Sequence, residues 1–424
     1  MNDQRAEAGA ASIRPGMAEF IALMAALMAS NAMAIDAMLP ALPAMGEALA
    51  VSEDNRRQLV ITFYLLGFGV AQLIWGPLAD RYGRKRLLIA ALLLYGGFGL
   101  VAGLASSFTL LLAARTLQGV AAAASRVLVV AVVRDLYQGS AMARVMSLTM
   151  IVFMIVPVLA PAFGQAVLAV GTWRHIFIGL GVYGAVLAAW TLLRLPETLA
   201  PGNRRALSPG NIGAALWETL RTRQSIGNTL AQTLLMGALF AFINSIQQIV
   251  FDVFHRPQML ALVFALIAGP MAFSSYANSR LVVRHGSRRL LLLALSVFTA
   301  AAATHLAVSQ IIGQTIWSFV ILQAATMSCF GLIGANAGAL AMEPLGHIAG
   351  TASSLQGVIT TIGGALIGLA VGQQFNGTTT PFLIGFTLCG AAALATAFWA
   401  NQPPSRDTHD EAEVDIQETA SRPA

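Results

Sequence analysis

The sequence predicts an all-α membrane protein with twelve transmembrane helices in two pseudo-symmetric six-helix bundles. Composition is the first reason: 57% of the 424 residues are hydrophobic and only 10% are charged, whereas a soluble domain carries roughly 25% charged residues. Stretches of about 20 apolar residues, the length that crosses a bilayer, recur twelve times along the chain. A polar motif that follows the second stretch also recurs after the eighth. So much apolar surface needs lipid as its solvent.

The spacing of the apolar stretches predicts the domain organisation. The longest polar interval, 195–225, contains three prolines and is interpreted as a linker between two halves. The predicted domains are a cytoplasmic N-terminal tail (1–19), an N-terminal six-helix half (20–194), a cytoplasmic linker (195–225), a C-terminal six-helix half (226–400) and a disordered cytoplasmic tail (401–424). The predicted spans are 20–44, 59–79, 87–106, 109–133, 146–168, 176–194, 226–250, 259–282, 290–311, 315–342, 349–371 and 380–400.

The basic residues predict the orientation. With both termini in the cytoplasm, 19 of the 25 lysine and arginine residues fall on cytoplasmic segments and 4 on the other side. The remaining two, Arg115 and Arg126, lie inside span 4. Such an asymmetry follows the positive-inside rule. It also explains the formal net charge of +6 without nucleic acid, so no nucleic-acid partner is expected.

A polar segment repeats at half the chain length. The segment 76–86 aligns with 279–289 at an offset of 203 residues, which pairs Arg81 with Arg284 and Gly83 with Gly286. Each copy follows the second span of its half, so the pattern indicates duplicated six-helix units. Parallel repeats of this kind place a substrate site between the halves, near the bilayer midplane.

The first copy of this segment is a candidate cytoplasmic gating loop. Gly83 allows a tight turn between two helices, and Asp80, at a helix end, can pair with an arginine, for which Arg134 is a candidate. Two interpretations are open, a topology anchor alone or a gating role. The candidate gating residues are Gly76, Asp80, Arg81, Gly83, Arg84 and Lys85.

Three charged residues lie inside predicted spans. Asp36 is the only carboxylate in a span interior; burial disfavours its charged form, so it can take up and release a proton. Asp36 and Arg115 are therefore candidates for proton coupling or substrate binding, and a structural ion pair between them is the alternative. Arg126 lies three helical turns from Arg115. It either anchors the cytoplasmic end of its helix or lines the cavity and favours anionic groups.

Polar side chains within other apolar stretches are further cavity candidates. A polar group in a membrane helix either lines a pathway or forms a hydrogen bond to a neighbouring helix, and both readings are open for most of this set. The full set of cavity candidates, with Arg126, is Asn31, Tyr64, Gln118, Arg126, Asn244, Gln247, Gln248, Gln323 and Asn336.

Several of these segments resemble signatures of the major facilitator superfamily. The segment 76–86 is similar to its loop motif, and 115–119 resembles its R-x-x-Q-G motif in span 4. In span 5, Pro157, Pro161 and Gly164 resemble the antiporter motif, with Ala160 and Gln165 in place of two of its glycines. Segments 35–43, 134–137, 173–177, 196–198 and 349–355 narrow the resemblance to the Bcr/CflA branch of drug exporters.

That resemblance implies a function. It implies the major facilitator fold and a monomer in the cell inner membrane that exports small amphiphilic drugs or antibiotics in exchange for protons by alternating access. Transport of an endogenous metabolite remains an alternative. The alternative of a membrane-embedded enzyme has no support, because the sequence contains no catalytic constellation. Lys85, the only lysine, stands outside a nucleotide-binding motif. No metal or cofactor is expected, and Cys329 and Cys389 are interpreted as packing residues.

Overall fold

The computed structural model describes residues 16–199 and 209–402, and this part of the chain consists of helices and short connecting segments, without a strand. Short 3₁₀ or π turns precede or follow several of the helices. The α-helices, in chain order, are α1 Met17–Asp36, α2 Leu42–Ala48, α3 Leu59–Tyr82, α4 Arg84–Gly103, α5 Phe108–Leu136, α6 Gly139–Val170, α7 Trp173–Arg194, α8 Pro209–Arg221, α9 Arg223–Gln248, α10 Leu260–His285, α11 Ser287–Ile311, α12 Ile316–Met327, α13 Phe330–Met342, α14 Ala349–Gly372 and α15 Thr380–Ala400.

Most of these helices are long and apolar enough to cross a membrane. In the described residues, ten helical stretches meet that condition, and one of them, Ile316–Gly372, is 57 residues long. Helix α6 contributes a shorter apolar stretch, Ile155–Val170. The chain is therefore a multi-pass membrane protein. The predicted tails and the centre of the predicted linker include residues 1–15, 200–208 and 403–424, which lie outside the described residues.

The helices before the 200–208 gap pack mainly on one another, and so do those after it. Within the first group α3 packs along α5, and α4 along α5 and α7. Within the second, α9 packs along α14 and α15, and α11 along α15. Two helix pairs join the groups, α3 with α14 and α6 with α10. These two contacts flank the space in which a pathway can form.

The repeated polar segment adopts the same turn twice. Helix α3 ends at Tyr82 and α4 begins at Arg84, so Gly83 alone makes the turn, with φ 98° and ψ 150°. Gly286 makes the turn between α10 and α11, with φ 74° and ψ 152°. Only glycine adopts this backbone conformation readily. We call the end of the molecule that carries these two turns the basic end, and the other end the opposite end.

Candidate functional site

A cavity of about 920 Å³ lies between the two groups of helices and reaches the basic end. One wall is formed by α3 and α5, and the other by the 3₁₀ turn Glu343–Ile348 and the start of α14. Helix α8 contributes Ala215 and Leu216 to the lining. At the inner end Gln72 on α3 donates to Thr361 Oγ1 on α14 at 3.0 Å. This hydrogen bond closes the cavity floor.

Arg126 lines this cavity. Its side chain is exposed to the cavity, and in the described part of the chain it forms no salt bridge. Of the two roles that the sequence left open, this geometry favours the cavity-lining one over a structural anchor. An arginine inside a membrane protein faces a water-filled space when no partner compensates it.

A network of amide side chains joins the two groups of helices at the opposite end. Gln58 Nε2 donates to Gln248 Oε1 at 2.5 Å, and Gln248 Nε2 donates to Asn55 Oδ1 at 2.8 Å. Asn55 Nδ2 donates to the Gln373 carbonyl at 3.1 Å, and Gln373 Nε2 donates back to the Asn55 carbonyl at 2.7 Å. We call Asn55, Gln58, Gln248 and Gln373 the amide seal. The cavity thus reaches the basic end, whereas hydrogen bonds join the two groups of helices at the opposite end.

Asp36 lies at the point where the first span breaks. Helix α1 ends at Asp36, a 3₁₀ turn covers Leu39–Ala41, and α2 follows. The side chain is only 4% exposed, and Oδ1 has no hydrogen-bond partner among the described residues. An ionised carboxylate without a partner is costly to bury. Asp36 is not among the residues that line the cavity.

Arg115 does not pair with Asp36, and the ion pair considered from the sequence is not formed. The guanidinium, fully buried, donates to the carbonyls of Ala34 at 2.9 Å and Val60 at 3.3 Å and to Gln118 Oε1 at 2.7 Å. It also lies 4.3 Å from the Tyr64 ring centroid. Five N–H donors need several acceptors, and backbone carbonyls supply two of them. Arg115 therefore connects α1, α3 and α5.

Close helix approaches fix the surroundings of these two residues. A Cβ on Gly119, the glycine of the R-x-x-Q-G motif, would lie 2.0 Å from the Tyr64 carbonyl, so α5 contacts the α3 backbone directly. A Cβ on Gly164 in α6 would lie 1.9 Å from the Ala37 carbonyl, beside Asp36. Pro157 and Pro161 lie in the same helix. The neighbouring Gln165 donates to the Pro257 carbonyl at 3.0 Å, which joins the two groups of helices.

The loop at 76–86 forms a charge cluster within the first group of helices. Arg84 is buried, at 4% exposure, and pairs with Asp80 at 2.6 Å and with Asp135 at 3.3 Å. Asp80 thus pairs with Arg84 across the Gly83 turn, and among the described residues it forms no salt bridge with Arg134, the candidate partner. Glu197 Oε1 accepts from the Arg84 backbone N–H at 2.8 Å. Among the described residues this cluster makes no hydrogen bond to the second group.

The other gating and cavity candidates are distributed differently. Gly76 lines the cavity, Arg81 stacks on Tyr82 at 5.3 Å, and Lys85 lies half-buried at the start of α4. Tyr64 and Gln118 pack around Arg115 rather than line the cavity, because they satisfy or cover its guanidinium. The remaining candidates all lie away from the cavity lining in this conformation. Asn31 accepts a hydrogen bond from the Tyr64 hydroxyl, Asn336 donates one to Asn278, and Gln248 belongs to the amide seal. The others, all buried, are Asn244, Gln247 and Gln323.

The sequence did not indicate three of the four residues of the amide seal. It also did not indicate that Glu197 accepts a hydrogen bond from the Arg84 backbone. Asn55, Gln58 and Gln373 lie at or just beyond the ends of predicted spans, where polar residues are ordinary. Nothing in their spacing indicates that residues more than 300 positions apart meet. In the sequence, Glu197 stands out only as part of the segment 196–198. Its proximity to Gly83 depends on how α7 and α3 end beside each other.

The comparisons with known proteins point to one family. Residues 24–368 match the sequence model of a family described as Major Facilitator Superfamily. An uncharacterized MFS-type transporter, YdgK of Bacillus subtilis, is 32% identical over 81% of this chain and 86% of its own length.

Other relatives are named for drug resistance. A bicyclomycin resistance protein homolog of Haemophilus influenzae is 28% identical over 84% of this chain and 89% of its own. The multidrug resistance protein MdtL of Salmonella typhi is 29% identical over 95% of this chain and 99% of its own. The crystal structure of the human organic anion transporter MFSD10 superimposes with a TM-score of 0.63 over 92% of this chain and all of that one, at 18% identity. That likeness concerns the fold alone.

Proposed function

Because the chain belongs to the major facilitator superfamily, we propose that it exports small amphiphilic drugs or antibiotics in exchange for protons by alternating access. Members of this family are transporters and not enzymes, so the substrate is a small molecule crossing a membrane. The drug class is proposed from the relatives named for bicyclomycin and multidrug resistance. The exchange for protons is proposed from Asp36.

One observation carries the proposal: the space between the two halves differs at its two ends. The cavity reaches the basic end, while the amide seal holds the halves together at the opposite end. Alternating access requires a second state in which the seal opens and the basic end closes. We propose that the charge cluster of Asp80, Arg84 and Asp135 contacts the second half in that state and latches the two halves together, which is the gating role considered for this loop.

Asp36 is the proposed proton carrier. It lies at the break between α1 and the following 3₁₀ turn, so a change in that break moves its carboxyl group relative to the cavity. Gly164 contacts the adjacent Ala37 carbonyl, so movement of α6 reaches the same point. We propose that Asp36 holds a proton while it is buried and releases it to the basic end when substrate enters. Arg115 positions this region by holding the Ala34 carbonyl.

The proposed topology has twelve spans, six in each half. The stretch Ile316–Gly372 is 57 residues long, about 85 Å as a helix, and therefore accounts for two crossings. Helix α6, 32 residues long, adds another to the ten stretches. We propose halves at 20–194 and 226–400 joined by a linker at 195–225 that contains α8. With the basic end in the cytoplasm, both termini are cytoplasmic, in the inner membrane, and the unit is a monomer.

Inside-out membrane vesicles test the exchange. In such vesicles the basic end faces the medium, so added substrate should enter the lumen while protons leave it. A pump-deficient bacterium expressing the chain first identifies a substrate from an antibiotic panel that includes bicyclomycin. A lumenal pH dye then follows proton efflux on addition of that compound. Substrate accumulation should stop when an uncoupler collapses the proton gradient while ATP stays high.

Asp36→Asn tests the carrier. Asparagine keeps the size and polarity of the side chain but cannot release a proton, so exchange should be lost while substrate binding remains. Asp36→Glu should keep part of the exchange and move its pH optimum. Asp252→Asn is the matched control, because it removes an exposed carboxylate near the opposite end of α9. If Asp36→Asn still releases protons and accumulates drug against a gradient, the carrier is another group.

A further inference from the structure

Two arginines that line the cavity form no salt bridge within the part of the chain that the structure describes. Five ionisable side chains line it: Asp80, Arg84, Arg126, Arg134 and His347. Asp80 pairs with Arg84 at 2.6 Å, and Arg84 also pairs with Asp135 at 3.3 Å. His347 Nε2 lies 3.0 Å from Glu218 Oε1 on α8. Neither Arg126 nor Arg134 lies within 4 Å of a carboxylate oxygen in the described residues.

Both arginines lie on the same face of α5. Arg126, Val130 and Arg134 are four residues apart, and all three line the cavity. Eight residues of α-helix span roughly 12 Å, so the two guanidiniums follow one another from the inner part of the cavity towards its mouth. A cleft lined by charge of one sign between apolar walls concentrates ions of the opposite sign.

The facing wall adds donors of the same polarity. Helix α14 begins there, and Ala349, Gly350 and Thr351 of its first turn line the cavity. Its N-cap, Ile348, supplies no side-chain acceptor for the free N–H groups. These N–H groups and the helix dipole favour an anion. No atom lies within 4 Å of the position that a Cβ on Gly350 would occupy, so the backbone there faces open space.

The rest of the lining is largely apolar. It includes Leu73, Pro77, Val127 and Leu128 beside the arginines. A guanidinium prefers planar carboxylate or phosphate groups, to which it donates two parallel hydrogen bonds. We propose that the cavity selects amphiphilic anions, whose carboxylate or similar group binds Arg126 while the apolar part contacts these side chains. That the exported substrates are such anions rests on the proposed function, whereas the binding preference itself does not.

Equilibrium binding of a matched pair of probes tests this selection. Dansylglycine and dansylglycinamide differ only in a carboxylate against a carboxamide, and both fluoresce more strongly in an apolar site. Titration of each into purified full-length protein in nanodiscs, corrected with empty nanodiscs, gives two values of Kd. The wild-type protein should bind the carboxylate about tenfold more tightly, as expected for a hydrogen-bonded charge. No gradient is present, so failure of proton-coupled export leaves this result unaffected.

Variants then assign the selection to Arg126. Arg126→Gln should reduce the preference to within about twofold, chiefly by raising the Kd of dansylglycine. Arg126→Lys keeps the charge but loses the two parallel donors, so it should retain only part of the preference. Arg280→Gln removes a positive charge of α10 outside the cavity and should leave the preference unchanged. Equal binding of the two probes by the wild type, no saturable binding of dansylglycine, or an unchanged ratio in Arg126→Gln would overturn the proposal.

Discussion

Replacing the glycine of each repeated turn by alanine separates backbone strain from a specific contact. Gly83 and Gly286 share nearly the same backbone conformation, with φ of 98° and 74° and ψ near 150°. A non-glycine residue in this region costs about 1–3 kcal/mol. Both substitutions should therefore destabilise the protein by a similar backbone term.

Gly83→Ala should cost more than that shared term. Its Cβ would lie 2.6 Å from Glu197 Oε2, whereas nothing lies within 4 Å at Gly286. The Glu197 carboxylate accepts backbone hydrogen bonds from Arg84 at 2.8 Å, Thr198 at 3.1 Å and Leu199 at 3.2 Å. All three bonds end on Oε1, and a shift of Oε2 away from the Cβ also moves Oε1, so it should weaken these bonds to a charged group by up to about 1.5–3 kcal/mol. Gly83→Ala should thus lower Tm more than Gly286→Ala does.

The assay is thermal unfolding of the purified variants in the same detergent, with Glu197→Ala as a second background. In that background the carboxylate is absent, so the two glycine substitutions should lower Tm equally. This double-mutant design isolates the contact between position 83 and the carboxylate. Equal effects in the wild-type background, or a difference that persists with Glu197→Ala, would refute the contact as the cause.

Three further predictions concern charge and hydrogen bonding. Asp80→Asn should insert normally but lose most transport, because Arg84 loses a charged partner while the topology-setting arginines remain; wild-type rates at equal expression would reduce the loop to an anchor. Arg115→Gln should lower Tm, since leaving a buried polar group unsatisfied costs about 1–3 kcal/mol, and an unchanged Tm would mean that its backbone contacts contribute nothing. Gln58→Leu should break the bond to Gln248 and favour the state open at the opposite end, seen as faster labelling of a cysteine introduced at Val51; unchanged labelling would contradict a role in closure.

Much of the fold was determined by local sequence. Apolar stretches of membrane length predict helices because lipid offers no partner for backbone N–H and C=O groups, so each span must satisfy its own. Gly83 and Gly286 predict turns because few other residues adopt a positive φ. Asp36 was identified because an isolated carboxylate in an apolar stretch is rare and costly. These inferences need only a residue and its neighbours in the chain.

The partners of these groups were decided by tertiary structure alone. Arg115 donates to the Ala34 and Val60 carbonyls rather than pairing with Asp36, because helix packing places those acceptors nearer its guanidinium. The contact between Asn55 and Gln373 spans 318 residues, and no sequence period signals it. A hydrogen bond depends on a few tenths of an ångström and on direction, and these are set only when the helices from both halves have packed.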